Sequence, residues 1–193
     1  MFDYKIYLGI LAVILGILSY IPYFRDLFTG KTKPHAFSWF VWFLLTGIAF
    51  AAQVLEHAGP GAWVTATTSL FCFIVFLFAL AKGHKDFPII DWLCLFSALL
   101  ALGIWFVTKN PLLAVILITV TDAIAFIPTF RKSFSNPWGE TVTLYAVAAI
   151  KFIPGLFALE RITLTTWLYP ASLVIMNSLF TIMLLIRRKQ LRK

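Results

Sequence analysis

Two ionisable side chains lie deep inside apolar stretches of this sequence. Asp122 and Lys151 fall about nine and about eleven residues from the same ends of two successive predicted helices, which at about 1.5 Å per residue gives them nearly the same depth. An isolated charge in hydrocarbon costs several kcal/mol, so both side chains should face the protein interior and meet, directly or through water. Either they form a structural ion pair, or Asp122 takes up a proton or a cationic group and releases Lys151.

Three more side chains are candidates for contact with a small polar ligand. Asn177 lies in the middle of the last predicted helix, and its amide offers both hydrogen-bond donors and an acceptor. Trp42 and Tyr145 have aromatic rings that can stack on a planar or sugar-like ligand. Packing inside the protein is the alternative role for both rings.

Hydroxyl and amide side chains are concentrated in the second and third predicted helices. These are Thr46, Gln53, Thr65, Thr67, Thr68 and Ser69. As a group they predict a polar vestibule at the outer end of the protein, whereas a single hydroxyl in a membrane helix commonly bonds the backbone or a neighbouring helix.

The sequence offers no pattern typical of an enzyme. The three histidines, His35, His57 and His84, lie in separate loops and predict no metal site. There is no glycine-rich phosphate loop, no pair of catalytic carboxylates and no nucleophile with a nearby base. We therefore expect no enzymatic activity, no cofactor and no metal.

The composition then places these residues in a membrane protein. Hydrophobic residues make up 61% and charged residues 12% of the 193 residues, and the mean hydropathy is +0.92, so there is too little polar surface to cover a soluble globule. Apolar runs of about 17–25 residues, separated by Gly, Pro and charge clusters, predict an all-α integral membrane protein. Its seven predicted transmembrane helices span 5–25, 36–56, 62–82, 88–107, 111–130, 141–159 and 165–187.

The basic residues predict the orientation of these helices. Twelve of the 16 Lys and Arg residues fall on one side, three on the other and one, Lys151, within a span. The excess of Lys and Arg marks the cytoplasmic side, so the N-terminus is expected outside and the C-terminus in the cytoplasm, in the plasma membrane or, in a bacterium, the inner membrane. This asymmetry also accounts for the net charge of +8, and we expect no nucleic-acid partner.

The sequence contains an internal repeat. Residues 21–28, IPYFRDLF, return at 127–134 as IPTFRKSF, and Pro22 matches Pro128. Further along the two copies, Trp42 matches Tyr145 and Trp63 matches Trp167. The repeat predicts two parallel three-helix bundles, 1–85 and 110–193, joined by a linker helix in 86–109, with an axis along the membrane normal.

This arrangement resembles the SWEET and PQ-loop clan of membrane proteins. The resemblance rests on the 3+1+3 helices and on the proline near the inner end of the first helix of each bundle. It implies that Pro22 and Pro128 are hinges of an intracellular gate and that Asn177 contacts substrate. Where PQ-loop members have Pro-Gln, this chain has Pro-Tyr and Pro-Thr, and Phe73 stands where a second asparagine would match Asn177.

We therefore expect a small secondary transporter that moves a small polar solute by alternating access. A sugar, an amino acid or a vitamin-like compound is the expected solute, and proton coupling would act through Asp122. The alternative is a receptor or assembly factor that uses the same fold without transport. The sequence predicts neither the oligomeric state nor the coupling ion.

Overall fold

The computed structural model describes residues 4–30, 34, 36–82 and 89–191. Within these ranges the chain forms seven α-helices and two short 3-10 helices, at Gly59–Ala62 and Pro137–Gly139. The α-helices are α1 (Tyr4–Phe28), α2 (Ala36–Leu55), α3 (Trp63–Lys82), α4 (Ile89–Thr108), α5 (Pro111–Ser135), α6 (Val142–Phe157) and α7 (Leu164–Leu191).

The apolar helices make this a membrane-embedded protein. Six of the helices in the described part are long and apolar enough to cross a bilayer. The seventh, α6, has 16 residues and is shorter than a typical span. The helix ends lie within five residues of the predicted ones, and the largest difference is at α5, which continues to Ser135.

Two connections between helices show why the breaks fall where they do. His57 and Lys109 both have positive φ angles, 54° and 55°, and each ends a helix by turning the chain into the left-handed region. After Lys109, the Asn110 side chain accepts a hydrogen bond of 3.0 Å from the backbone N–H of Leu112, and Pro111 opens α5. The chain thus reverses in very few residues.

We call α1, α2 and α3 the first group of helices and α5, α6 and α7 the second. The packing between the groups is also extensive, since α1 packs more extensively against α6 than against α3. In each group the third helix lies between the first two: α3 packs against both α1 and α2, and α7 packs against both α5 and α6. Across the middle of the molecule, α1 packs against α6 and α2 against α5, while α4 covers α5 and α2. The same neighbour relationships therefore occur in both groups.

We name the two ends of the helices by residues. The Glu56 side holds the α2–α3 and α6–α7 connections, which touch through a hydrogen bond from the backbone N–H of Glu160 to the carbonyl oxygen of Ala58. The Arg188 side holds the α5–α6 connection and the end of α7, where Arg188 donates hydrogen bonds to the carbonyl oxygens of Pro137 and Glu140.

Candidate functional site

A cavity lies in the middle of the molecule, between the two groups of three helices. Every helix except α4 contributes to its wall. The cavity has a volume of about 100 Å³, and because about 10–15 Å³ can hold one water, it has room for several waters or one small solute. Four of the five ligand-binding residues expected from the sequence line it: Trp42, Asp122, Lys151 and Asn177.

The carboxyl group of Asp122 projects into this cavity from α5. The residue is 2% exposed, and its Oδ2 atom has no hydrogen-bond partner among the described residues. A buried polar atom without a partner costs free energy, so such a group marks a place where something else supplies the contact. Asp122 is therefore the strongest candidate for direct contact with a ligand or a proton.

The ammonium group of Lys151 is held by groups from both halves of the chain. Nζ donates a hydrogen bond of 2.9 Å to Oγ1 of Thr68 in α3. It also lies 5.2 Å from the ring centres of Tyr20 and Phe152, within the range of a cation–π interaction. Gly16 lies beside the Lys151 side chain, since a Cβ added at Gly16 would be 3.8 Å from Cδ of Lys151, an ordinary van der Waals contact.

Asp122 and Lys151 share the cavity but do not form an ion pair. Lys151 bonds Thr68 instead, and Oδ2 of Asp122 stays without a partner. The physical reason is the packing: α7 lies between α5 and α6, so the two side chains enter the cavity from different helix interfaces. The direct ion pair between helices that we considered from the sequence is absent from this structure.

Asn177 and the two candidate aromatic residues have different surroundings. Asn177 is 6% exposed, lines the cavity and donates a hydrogen bond of 2.7 Å to the carbonyl oxygen of Leu173. The Trp42 ring lies 5.2 Å from that of Trp39, edge to face, and also lines the cavity. These two positions agree with contact to a ligand.

Tyr145 is not part of the cavity wall. Its hydroxyl donates a hydrogen bond of 3.2 Å to Glu140, and its ring packs 4.4 Å from that of Phe180. Leu144 and Ala148, four residues apart on one face of α6, line the cavity, and Tyr145 is turned by about 100° from Leu144. In this structure Tyr145 therefore packs inside the protein, which was the alternative to ligand contact for this residue.

Five aromatic residues of the cavity wall were not among the candidates from the sequence: Tyr20, Trp39, Phe126, Phe152 and Tyr169. Trp39 is buried at 8% exposure and lines the cavity. Tyr20 and Phe126 also line it. They stand two residues before Pro22 and Pro128 and so occupy matched places in the repeat, a signal that was available in the sequence.

The hydroxyl and amide groups of α2 and α3 mostly bond carbonyl oxygens. Thr67 and Ser69 bond Trp63 and Phe43 in this way. The side-chain amide of Gln53 donates a hydrogen bond of 2.8 Å to the carbonyl oxygen of Thr166 in α7. Thr46 and Thr68 are the two of the group that line the cavity. The hydroxyls thus act mainly in helix packing, not in an open vestibule.

On the Glu56 side, the two halves of the chain are in close contact above the cavity. A Cβ added at Gly61 would lie 2.8 Å from the carbonyl oxygen of Gly155 and 2.6 Å from Cδ2 of Leu159. A Cβ at Gly155 would lie 2.6 Å from Cγ1 of Val64. Only glycines allow this approach of two backbones, since any side chain would force the helices apart.

Polar contacts reinforce the closure on the same side. The Lys5 ammonium donates a hydrogen bond of 2.9 Å to the carbonyl oxygen of Leu159, and Arg161 pairs with Glu56 at 3.7 Å. Among the described residues, the hydrogen bonds between the two halves of the chain lie on this side, except for the bond between Lys151 and Thr68, which lies in the middle. We call these contacts on the Glu56 side, between the cavity and the end of the helices, the roof of the cavity.

The two matched prolines lie toward the opposite side. Pro22 is inside α1, with its ring exposed on the outer face of the bundle. The helix α5 continues through position 128, but the side chain of Pro128 is outside the described part of the structure. Both helices run on past the proline positions for at least one turn.

Comparison with known protein families, with curated proteins and with solved structures found no match to this chain. Among the described residues, no group of three His, Cys, Asp or Glu side chains is placed to hold a metal ion. The assignment of function therefore depends on the cavity and on the helices around it.

Proposed function

We propose that this protein is a secondary carrier that moves a small polar solute across a membrane by alternating access, with the central cavity as its binding site. The observation that carries the proposal is the cavity itself. It lies between two groups of helices, contains the unpartnered carboxyl group of Asp122 and has a roof made by contacts between the two groups. A carrier needs such a site and such a closable roof.

The helix packing supports the resemblance to the SWEET and PQ-loop clan. Each group has its third helix in contact with the first two, and α1 packs against α6 as α2 packs against α5. A twofold axis along the membrane normal would produce these matched contacts. We propose that the groups are parallel bundles, 1–85 and 110–193, and that α4, in 86–109, links them. An odd number of helices in each bundle requires such a linker if both bundles are to have the same orientation.

The charge distribution gives this architecture a direction. With the excess of Lys and Arg in the cytoplasm, the Glu56 side faces outward and the Arg188 side faces inward, in the plasma membrane or a bacterial inner membrane. The roof over the cavity is then the outer gate in its closed state. Transport would open this roof and close the inner side, with Pro22 and Pro128 as bending points in α1 and α5.

In this mechanism Asp122 is the group that changes partner. A carboxyl group that is 2% exposed needs either a proton or a cationic group of the solute when the cavity is closed. Proton uptake by Asp122 would couple transport to a proton gradient. We propose no chemical conversion of the solute, because no step of the cycle requires one.

Uptake by liposomes that contain the purified protein tests the proposal. Labelled sugars, amino acids, nucleosides and vitamins are offered with and without a pH gradient, and thermal unfolding of the protein is measured with the same compounds. We expect at least one compound to stabilise the protein and to accumulate, and the Asp122→Asn variant to abolish its accumulation. Stabilisation without flux would instead indicate a receptor. If no compound stabilises the protein and none is transported, the carrier proposal is overturned.

A further inference from the structure

We infer that the cavity binds a zwitterionic organic solute, with its ammonium group on Asp122 and its carboxylate group on Lys151. This inference rests on the proposed carrier function and names the class of solute for the same site. It follows from the partners that each charged group has and lacks, from the charge of the cavity as a whole and from the character of its wall.

Asp122 provides the place for the ammonium group. An ionised carboxyl group is only an acceptor, and Oδ2 of Asp122 receives no hydrogen bond from the protein although the residue is 2% exposed. A charged N–H donor is the strongest partner for such an oxygen, since charge-assisted hydrogen bonds are about twice as strong as neutral ones. The cavity wall also includes Phe126, one turn further along α5, and Tyr169, whose hydroxyl oxygen likewise has no hydrogen-bond partner among the described residues.

Lys151 provides the place for the carboxylate group. A lysine ammonium group has three donors, and the structure uses one of them for the hydrogen bond to Thr68. The rings of Tyr20 and Phe152 stabilise the positive charge without using a donor, since they interact with it through their faces. Two N–H donors of a 2% exposed ammonium group therefore remain for an anionic oxygen in the cavity.

The balance of charge in the cavity favours a solute with both signs. Among the described residues of its wall, Asp122 and Lys151 are the charged ones, and they do not pair with each other. A simple cation would satisfy Asp122 but be repelled by Lys151, and a simple anion would do the reverse. Only a solute with an ammonium and a carboxylate group compensates both charges in the same buried site.

The rest of the wall selects for an apolar remainder on the solute. Apart from Ser19, Thr46, Thr68 and Asn177, the uncharged residues of the wall are aromatic, aliphatic or cysteine. Ser19 and Thr46 use their hydroxyl protons for carbonyl oxygens of their own helices. A zwitterion that carries a small aliphatic substituent fits this lining and the volume of about 100 Å³ better than a polyhydroxylated solute, which would leave many hydroxyls without partners.

Ligand derivatives that lack one charge at a time test the inference on the full chain in detergent. Thermal unfolding is first measured with glycine, L-alanine, L-leucine and L-phenylalanine. The most stabilising of these amino acids is then compared with its methyl ester, which lacks the carboxylate group, and with its N-acetyl form, which lacks the ammonium group. We expect the zwitterion to stabilise the protein and both derivatives to bind at least about tenfold more weakly. Equal affinity for the zwitterion and the ester would overturn the inference.

Two variants assign the two charges to the two residues. In Lys151→Met the advantage of the zwitterion over the methyl ester should disappear, and in Asp122→Asn its advantage over the N-acetyl form should disappear. The control is Thr67→Val, outside the cavity wall, which should keep both ratios. The assignment would be contradicted if Thr67→Val lost both affinity ratios, or if Lys151→Met and Asp122→Asn kept the ratios that each is expected to lose. If a variant does not fold, the comparison of the three ligand forms on the unaltered protein still tests whether the cavity prefers a zwitterion.

The inference and the carrier proposal fail in different ways. If a neutral sugar or nucleoside is transported and no zwitterion binds, the protein is a carrier but the solute class is wrong. If the zwitterion binds with the expected preference but liposomes show no flux, the site is assigned correctly and the protein is not a carrier. If none of these compounds binds or is transported, both are wrong.

Discussion

The ammonium group of Lys151 in α6 donates a hydrogen bond of 2.9 Å to the hydroxyl oxygen of Thr68 in α3, and so joins the two halves of the chain at the cavity. The Thr68 hydroxyl donates its own proton to the carbonyl oxygen of Val64 at 2.7 Å. Its lone pairs are thereby directed away from its own helix, toward the lysine. These two hydrogen bonds hold Lys151 beside the cavity, and Asp122 takes no part in them.

Replacing Thr68 by Val should destabilise the protein by about 1–3 kcal/mol, because the buried ammonium group loses its protein acceptor. Thr67→Val is the matched control, since the Thr67 hydroxyl bonds only the carbonyl oxygen of Trp63 in its own helix. Thermal unfolding in detergent measures both. Equal unfolding temperatures for the two variants would show that the Lys151 contact contributes nothing to stability.

Asp122→Asn should leave stability unchanged or raise it by up to about 2 kcal/mol, because the carboxyl oxygen that it replaces has no partner in the protein. The same variant should lose the solute accumulation that a proton gradient drives. Unfolding and liposome uptake are measured on one preparation. A strong destabilisation that Asp122→Asn/Lys151→Met reverses would instead establish a structural pair.

Gly61→Ala should destabilise the protein by about 1–3 kcal/mol, because its Cβ would lie 2.8 Å from the carbonyl oxygen of Gly155 and force the roof apart. Gly103→Ala in α4 is the control, since its Cβ would have no neighbour within 4 Å. Unfolding temperatures give the comparison. Should both substitutions be equally well tolerated, the two backbones do not meet closely on the Glu56 side.

A disulfide between Ala58→Cys and Glu160→Cys should form readily, because a backbone hydrogen bond of 3.0 Å already joins these residues. With Cys72 and Cys94 replaced by Ala, the bond would hold the Glu56 side closed and stop transport. Uptake should return after reduction. Full uptake with the disulfide intact would contradict the role of this side as a gate.

Cys72 should react with small thiol reagents through the cavity, whose wall it shares, whereas Cys94 is buried in the apolar core with Ala98 and Ala101. Alkylation in Cys94→Ala is measured by mass spectrometry on oriented vesicles. Reaction should be faster from the Arg188 side, because the roof closes the other side, and a bound solute should slow it. Equal rates from both sides would be inconsistent with a closed roof.

Much of the fold was predictable from the sequence. The length of the apolar runs and the Gly, Pro and charge clusters between them predicted the helices to within five residues, because a bilayer allows few other ways to satisfy the backbone. The sequence also indicated that Asp122, Lys151 and Asn177 belong inside. The short α6, with Pro154 within it, is the element whose length was overestimated.

The partners of these residues were decided only by tertiary structure. Depth along a helix can be counted from the sequence, but each residue turns the side chain by about 100°, and the neighbouring helix is set by packing of the whole bundle. Because α7 separates α5 from α6, Lys151 meets Thr68 and Asp122 keeps an open acceptor. The sequence by itself determined which charges the membrane must hide, and the packing of six helices decided that they face one cavity without touching.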